Sequence, residues 1–123
     1  MRTPRETVES YFQLFSAGDS SGLAQLFAED GVITPNNMAT IRGTEAIETT
    51  FKSIFASITM HCDHLEIDRV VEQGDTSCVE TRSTETVTIN DGSVSTSDYR
   101  ELFVLRKANG AWQILSYMFN NPG

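Results

Sequence analysis

The sequence predicts an α+β domain in which three helices come first and an antiparallel sheet follows. In the first half of the chain, apolar residues recur at spacings of three and four, which is the period of an amphipathic helix. The second half consists of β-rich segments separated by glycine-containing turns. This order packs the helices on one face of a curved sheet. Because 123 residues suffice for only one core, a single domain over residues 1–123 is expected.

The first helix is predicted over residues 4–17. Thr3 supplies a hydroxyl cap, Pro4 suits the first helical position, and Glu6 is placed to complete a capping box. Gly18 ends the pattern. One side of the helix carries Val8, Tyr11, Phe12 and Phe15. We therefore expect this side to face the core.

Two further helices are predicted before the sheet. The second begins near Asp19 or Ser20 and stops at Gly31, and the third opens at Gly43 and Thr44. The apolar residues of the second helix are Leu23, Leu26 and Phe27. Those of the third are Ile47, Phe51, Ile54, Phe55 and Ile58.

Six strands are predicted, two of them short and four forming a meander. Their ranges are 32–34, 38–41, 60–72, 76–89, 97–107 and 111–120. Pro35 ends the first strand, and the next two residues are asparagines that suit a turn. Hairpin signals at residues 73–75, 90–93 and 109–110 join the strands of the meander.

Pairing the meander around the centres of its turns sorts the side chains into two faces. On one face, a cross-strand row contains Glu66, Arg82, Glu101 and Met118, with Glu80, Phe103 and Ser116 beside it. The other face contains Leu65, Ile67, Val79, Leu102, Val104, Leu115, Tyr117 and Phe119. A sheet covered by helices on one side only does not need a second apolar face. The sequence therefore predicts a homodimer through Leu102, Val104, Leu115 and Tyr117.

The position of Glu101 on the helix-covered face needs an explanation. In the stretch YRELFVL this residue lies among apolar side chains, where a carboxylate must be paired, protonated or in a wet cavity. The predicted register places Arg82 opposite Glu101. We interpret the two as a pair at the floor of a pocket, with a purely structural salt bridge as the alternative.

Charge and composition exclude several classes of function. The formal net charge of −8 gives no electrostatic attraction for nucleic acid or for an anionic membrane. No apolar run is long enough to span a membrane, and residues 1–10 do not resemble a signal peptide. We therefore expect a cytoplasmic protein with neither nucleic acid nor membrane as a partner.

The metal-binding residue types do not form a metal site in this sequence. Cys62 and Cys78 have no second cysteine pair nearby and are interpreted as free thiols. His61, Asp63 and His64 are close in sequence, but strand alternation directs the two histidines to opposite faces. They are either solvated strand-end residues or a general base at the mouth of a cavity. No metal is predicted.

The order of the motifs resembles the nuclear transport factor 2-like superfamily, in particular its SnoaL-like and ketosteroid-isomerase-like members. AGD follows the first helix, FAEDGVITP follows the second, GTEAI opens the third, and NGAWQI occupies the last hairpin. The resemblance implies a cone-shaped, cystatin-like roll in which a strongly bent sheet wraps the helices around an internal pocket. It also implies that dimerisation through the outer sheet face is common.

The isomerase site carries over only in part. Tyr11 falls at the position of the oxyanion-hole tyrosine and Glu101 at that of the acidic hydrogen-bond donor, but the position of the carboxylate base holds Thr34. A hydroxyl is a poor base toward a carbon acid. The related epoxide hydrolases use an arginine flanked by two aspartates. Arg82 matches that arginine, whereas Thr84 and Tyr117 stand where the aspartates are expected.

These observations predict a pocket that binds a mostly apolar small molecule with a carbonyl or hydroxyl group. Tyr11, Arg82 and Glu101 are the predicted catalytic residues, and no cofactor is implied. The predicted pocket lining is Phe15, Phe27, Thr34, Met38, Phe51, Phe55, Glu80, Phe103, Trp112 and Met118. Such a site suits isomerisation, cyclisation, dehydration or hydrolysis by acid/base chemistry. The alternative is a non-catalytic ligand-binding or dimerisation domain.

Overall fold

The computed structural model describes residues 1–122 and has the predicted α+β architecture. Three helices are followed by a meander of long strands that belongs to one six-stranded sheet, and the helices pack on one face of that sheet. The helices are α1 (Pro4–Ala17), α2 (Ser20–Gln25) and α3 (Thr44–Ser57). The strands are β1 (Phe27–Thr34), β2 (Ile41–Arg42), β3 (Ile58–Gln73), β4 (Thr76–Ile89), β5 (Val94–Ala108) and β6 (Ala111–Asn120).

The first helix has the predicted bounds and the predicted capping box. The Thr3 hydroxyl accepts a hydrogen bond from the Glu6 backbone N–H at 3.1 Å, and the Thr3 N–H donates to Glu6 Oε1 at 2.9 Å. Gly18 follows in the left-handed conformation, with φ of 68°. The helix is therefore stabilised at both ends by its own sequence.

The second helix is shorter than predicted, because β1 begins four residues before Gly31. Phe27 opens β1 and pairs with Ile114 of β6, and the Ile114 N–H donates to the Leu26 carbonyl at 2.9 Å. This pairing with a distant strand overrides the helical spacing of Leu23, Leu26 and Phe27.

The sheet is mixed rather than wholly antiparallel. Its strand order is β2-β1-β6-β5-β4-β3, and β1 runs parallel to β6 while the other neighbours are antiparallel. The β3–β4 register is the predicted one around Glu66, which lies opposite Arg82, but the pairing shifts by one residue on each side of this stretch. The two other hairpins of the meander differ from prediction, and each difference changes which side chains face the helices.

In the β4–β5 hairpin the predicted register is wrong by one residue. Three residues lie between Ile89 and Ser93, and the last of them, Gly92, has φ of 90°. A three-residue loop with a left-handed last residue shifts the pairing relative to a two-residue turn. As a result Glu101 pairs with Thr81, and Arg82 pairs with Arg100.

In the β5–β6 hairpin a β-bulge reverses the predicted alternation of β6. The pairing is in the predicted register near the turn, but it shifts by one residue between Val104 and Leu105. Beyond a bulge every following side chain changes face. Tyr117, predicted on the outer face, is consequently buried at 3% exposure. Phe119 packs beside it, with ring centroids 5.3 Å apart.

The core fills the space between α1, α3 and the inner face of the sheet. Phe103 is fully buried and stacks on Tyr117, with ring centroids 4.3 Å apart. Tyr11 of α1 contacts the Tyr117 ring edge-on at 4.9 Å. Within residues 1–122, no helix has the length and hydrophobicity that crossing a membrane requires.

Candidate active site

An inner pocket of about 300 Å³ lies between α1, α3, the segment after β1 and the inner face of the sheet. Its apolar lining consists of Phe15, Ile33, Pro35, Met38, Ile41, Phe51, Ile54, Ile58, Met60 and Phe119. Its polar lining consists of Tyr11, Asn36, Thr50, Glu85, Tyr99 and Tyr117. Largely apolar walls with a few polar groups are typical of small-molecule sites, and this volume suits a small ligand.

Two buried glutamates form the polar end of the site, and we refer to them as the carboxyl pair. Glu85 of β4 lines the inner pocket, whereas Glu101 of β5 lies behind it. They are 8% and 5% exposed. The Ser83 hydroxyl lies 2.8 Å from Glu85 Oε2 and 2.5 Å from Glu101 Oε2. The Thr81 hydroxyl donates to the other oxygen of Glu101 at 2.7 Å.

The geometry of the carboxyl pair implies at least one bound proton. A serine hydroxyl has a single proton, so Ser83 donates to only one of the two carboxyl groups. The other contact is a hydrogen bond only if that carboxyl group is itself protonated and donates to the serine oxygen. Among the described residues, no ion pair involves Glu85 or Glu101.

Burial raises the pKa of both members of the carboxyl pair. The pKa of Glu85 rises to about 7, mainly because burial disfavours the ionised form, with a further contribution from the charge of Glu101. Burial also raises the pKa of Glu101, although the hydrogen bonds from Ser83 and Thr81 act in the opposite direction. Glu85 thus has a pKa suited to donating and accepting protons near neutral pH.

Two tyrosines beside the carboxyl pair stay protonated. Tyr11 and Tyr117 line the inner pocket, and their rings meet edge-on with centroids 4.9 Å apart. Burial raises the pKa of both phenols well above the usual value, and the nearby glutamates add to the effect. Both therefore remain available as hydrogen-bond donors.

The predicted pairing of Arg82 with Glu101 is wrong. Arg82 projects from the opposite face of β4, where its guanidinium binds Asp68 through two hydrogen bonds of 2.8 and 2.7 Å. Its side chain is 64% exposed. The one-residue shift of the β4–β5 register accounts for the error, because successive side chains of a strand point to opposite faces. Arg82 is therefore outside the inner pocket.

Some of the other predicted site residues line the inner pocket and others do not. Tyr11, Phe15, Met38 and Phe51 line the pocket as predicted. Phe103 lies in the core beneath Tyr117, and Phe55 stacks on Phe51 with ring centroids 5.7 Å apart. Thr34 ends β1 directly before the pocket residue Pro35.

Four further residues of the predicted lining lie outside the inner pocket, as do Thr34, Phe55 and Phe103. Glu80 is on the outer face, where it pairs with Arg69 at 2.9 Å. Met118 is also on the outer face and 48% exposed, because of the β6 bulge. Phe27 and Trp112 are buried and border other surface depressions.

The segment that contains His61, Asp63 and His64 does not form a metal site in the described part of the chain. No group of three potential ligands able to hold a metal ion occurs within residues 1–122. His61 and His64 have largely exposed side chains, and each lies beside a carboxylate: Asp63 at 2.8 Å and Glu66 at 3.4 Å. A register shift between Cys62 and His64 interrupts the alternation that predicted opposite faces for the two histidines. Burial raises the pKa of the Cys62 thiol to about 11, so it remains protonated.

The sequence matches the profile of the SnoaL-like domain over residues 8–114. The chain belongs to the SnoaL-like domain family. The matched region contains the carboxyl pair and Tyr11, and it stops just before Tyr117. Among curated proteins, none matches the chain in sequence.

Solved structures resemble this SnoaL-like domain over nearly its whole length. A ketosteroid isomerase-like protein from Erwinia carotovora atroseptica is 25% identical with a TM-score of 0.88, and the match covers 97% of this chain and 93% of that chain. An NTF2-like protein with a cystatin-like fold from Novosphingobium aromaticivorans is 22% identical with a TM-score of 0.79, covering 96% and 79%. A Streptomyces avermitilis protein of the NTF2-like family, provisionally assigned as a dehydratase, is 13% identical with a TM-score of 0.75, covering 94% and 91%. The superfamily and the cystatin-like fold expected from the motifs are confirmed.

Sequence reasoning missed the pocket residue of the carboxyl pair in this SnoaL-like domain. Glu85 lies in the stretch TRSTETVT, where hydroxyl and charged residues occupy both faces of the strand. Alternation alone therefore does not reveal which face is buried. The structure shows which face of β4 is buried. Its residues are Ser77, Val79, Thr81, Ser83 and Glu85, so the glutamate follows a series of small side chains.

Proposed function

We propose that this SnoaL-like domain is a small-molecule enzyme that performs cofactor-independent acid/base chemistry in the inner pocket. The observation that carries the proposal is the carboxyl pair, which is buried, lacks a cationic partner among the described residues and opens onto an apolar pocket through Glu85. Perturbed acids in a cleft are typical of catalytic sites. A mostly apolar compound with one carbonyl or hydroxyl group matches the lining.

The chemistry follows from the protonation states. Ionised Glu85 takes a proton from the carbon next to a ligand carbonyl, and the electron pair of the broken C–H bond moves toward the carbonyl oxygen. A phenol of the pocket wall, from Tyr11 or Tyr117, donates a hydrogen bond to the oxygen as negative charge develops there. Protonated Glu85 then returns the proton to the same or a neighbouring atom. Isomerisation, cyclisation and dehydration all use such steps.

Deuterium exchange into a small ketone tests this proposal. 2-Tetralone is an apolar bicyclic ketone whose C1 protons are acidic, and NMR in D2O follows their replacement by deuterium. We expect the protein to accelerate the exchange, Glu85→Gln to abolish the acceleration, and Tyr11→Phe to reduce it. Acceleration that is unaffected by Glu85→Gln contradicts the proposal.

A non-catalytic ligand-binding domain is the second candidate function. It is favoured by Thr34, which occupies the position where the isomerases of the superfamily hold a carboxylate base. The same probe distinguishes the two functions. Saturable binding of 2-tetralone, measured by its NMR line width, without accelerated exchange supports the carrier and rules out the enzyme for this class of ketone.

We also propose a homodimer through the outer sheet face. Leu102 and Met118 are cross-strand neighbours, 40% and 48% exposed, and Val104 and Leu115 lie on the adjoining part of β5 and β6. Tyr117 takes no part in this interface because it is buried. Sedimentation gives the test: Leu102→Lys is expected to yield monomer. Val71→Lys, at an exposed apolar residue of β3, is the control, and an unchanged mass for Leu102→Lys overturns the dimer.

A further inference from the structure

Among the described residues, Ser83 is the one whose side chain hydrogen-bonds to both members of the carboxyl pair. Its oxygen lies 2.8 Å from Glu85 Oε2 and 2.5 Å from Glu101 Oε2. Thr81 is its nearest counterpart, two residues away on the same face of β4, and it donates to Glu101 at 2.7 Å. The chain thus contains a bridging hydroxyl and, beside it, a matched hydroxyl that serves Glu101 without reaching Glu85.

The two glutamates differ in their access to a ligand. Glu85 lines the inner pocket, whereas Glu101 does not. Both are almost fully buried, at 8% and 5% exposure. A ligand in the inner pocket covers Glu85 further, so a proton lost from this carboxyl group is not readily replaced from solvent.

We propose that Ser83 relays a proton between Glu101 and Glu85, so that Glu101 is the proton reserve of the pocket-facing acid. The relay rests on the proposed function, because it lets Glu85 change between the carboxylate that takes a proton from the ligand and the acid that returns one. Glu101 and Ser83 act through Glu85 and do not touch the ligand. The predicted catalytic role of Glu101 thereby becomes an indirect one.

The proposed step balances without any external reactant. Glu85 begins as a carboxylate after giving its proton to the ligand, and Glu101 is a carboxylic acid. The Ser83 O–H bond breaks as its proton moves to Glu85, and a new O–H bond forms as the proton of Glu101 moves to the serine oxygen. Ser83 ends as a neutral hydroxyl, Glu85 as an acid and Glu101 as a carboxylate. The reverse sequence accepts a proton taken from the ligand.

The surroundings of the carboxyl pair favour sharing a proton over losing it. The titratable groups that affect Glu85 from neighbouring strands are Glu101 of β5 and Asp63 of β3, both acidic. The Cys62 thiol and the phenols of Tyr11, Tyr99 and Tyr117 are the other titratable groups that interact with the pair, and burial raises the pKa of each. Among the described residues no cation approaches to stabilise two ionised carboxylates at once, so one retained proton is the lower-energy state.

NMR of the ligand-free protein tests the relay. With ¹³C at the glutamate side-chain carboxyl carbons, relaxation dispersion measures how fast Glu101 exchanges between its protonated and ionised forms near its midpoint pH. We expect fast exchange in the native chain and exchange at least about tenfold slower in Ser83→Ala, in the range that loss of a positioned proton donor produces. Glu85→Gln is expected to slow it as well, since the route to Glu101 passes through residue 85.

Two further variants separate a relay from a structural role. Ser83→Thr keeps the hydroxyl and is expected to restore fast exchange. Thr81→Val removes the matched hydroxyl and is expected to raise the pKa of Glu101 without slowing its exchange, because that hydrogen bond lowers the pKa. Equal exchange rates in Ser83→Ala and Thr81→Val overturn the relay, as does fast exchange in Glu85→Gln. If Ser83→Ala does not fold, Glu85→Gln and Ser83→Thr decide the matter.

Failure of the relay and failure of the proposed function give different results. The exchange rate at Glu101 is measured without a ligand, whereas the proposed function depends on deuterium exchange into 2-tetralone. A native protein that accelerates ketone exchange through Glu85, but whose Glu101 exchanges equally fast without Ser83, keeps the proposed function and loses the relay.

Discussion

The charged side chains on the two faces of strand β4 have different partners. On the outer face, Glu80 pairs with Arg69 at 2.9 Å and Arg82 pairs with Asp68 at 2.7 Å. On the inner face, Glu85 contacts a serine hydroxyl instead of a cation, and burial raises its pKa. The outer pairs are solvated and contribute little to stability. The inner glutamate costs stability when ionised, which supports the proposed role of Glu85 in acid/base chemistry.

Neutralising one glutamate on each face gives the largest contrast. Glu85→Gln is expected to reduce deuterium exchange into 2-tetralone by about 10²–10⁴-fold, which is the usual contribution of general acid/base catalysis. Glu80→Gln, five residues earlier on the outer face, is expected to change the rate by less than about twofold, since its partner Arg69 is remote from the pocket. Equal losses in both variants would remove the functional distinction between the faces.

The pH dependence of stability provides the second contrast. The folded-state pKa of Glu85 is about 7, above its usual value of 4.5, so the unfolded chain releases this proton first as the pH rises. The stabilisation by the protonated form is complete below pH 4.5 and is lost as the pH rises through about 7. The loss amounts to about 3 kcal/mol at most.

Urea unfolding between pH 4 and pH 8 measures this loss. Glu85→Gln is expected to flatten the decline. Between pH 4 and pH 8 this variant should lose less unfolding free energy than the native chain loses. Glu80→Gln serves as the control and is expected to leave the decline unchanged. Glu101, whose pKa burial also raises, is expected to leave a smaller decline in this variant. A decline of undiminished size in Glu85→Gln would assign it to a group other than Glu85.

Removing the cation of the outer face has a smaller expected effect. Arg82→Ala should lower the unfolding free energy only slightly, because the Arg82 side chain is 64% exposed and its ion pair is solvated. The pKa of Asp68 should rise toward its usual value, since Arg82 holds it down. The NMR titration of Glu101 should not move. A shift in the pKa of Glu101 would instead support the pairing that the predicted register gave.

A change in salt concentration should give the smallest difference between the two faces of β4. Raising the ionic strength from about 0.1 M to about 1 M shortens the Debye length from about 10 Å to about 3 Å. The small contribution of the exposed pairs of Arg69 and Arg82 to the unfolding free energy should decrease further. The pKa of Glu85, which is raised mainly by burial, should change little. A large salt-dependent fall in that pKa would mean that the carboxyl is more solvated than the structure describes.

Local signals in the sequence predicted much of the fold. The capping box at Thr3 and Glu6 and the glycine after the helix depend on residues close in sequence, and the bounds of α1 were correct. Tyr11 was assigned to the site because it falls at the position of the oxyanion-hole tyrosine in the isomerases that the motifs resemble, and it lies in the lining of the inner pocket. The order of motifs gave the family and the cystatin-like fold.

The candidate site was harder to predict because it depends on strand register. One extra residue in the β4–β5 loop pairs Thr81 with Glu101 and leaves Arg82 on the outer face. One bulge in the β5–β6 pairing places the Tyr117 side chain on the inner face. Each is a shift of one residue, and such a shift moves a whole strand's side chains to the other face. Glu85 was missed for the same reason, since its pocket-facing role appears only in the correct register.

The two irregularities of β3 have a consequence for how the molecule behaves at high concentration. This strand has 16 residues, more than the usual length, and lies at one end of the sheet, where the backbone groups on its free side can add a strand from another chain. Shifts between Cys62 and His64 and between Ile67 and Arg69 divide it into three shorter straight stretches. Each stretch offers an incoming strand only a brief ladder of hydrogen bonds, and this protects the native protein from edge-to-edge aggregation.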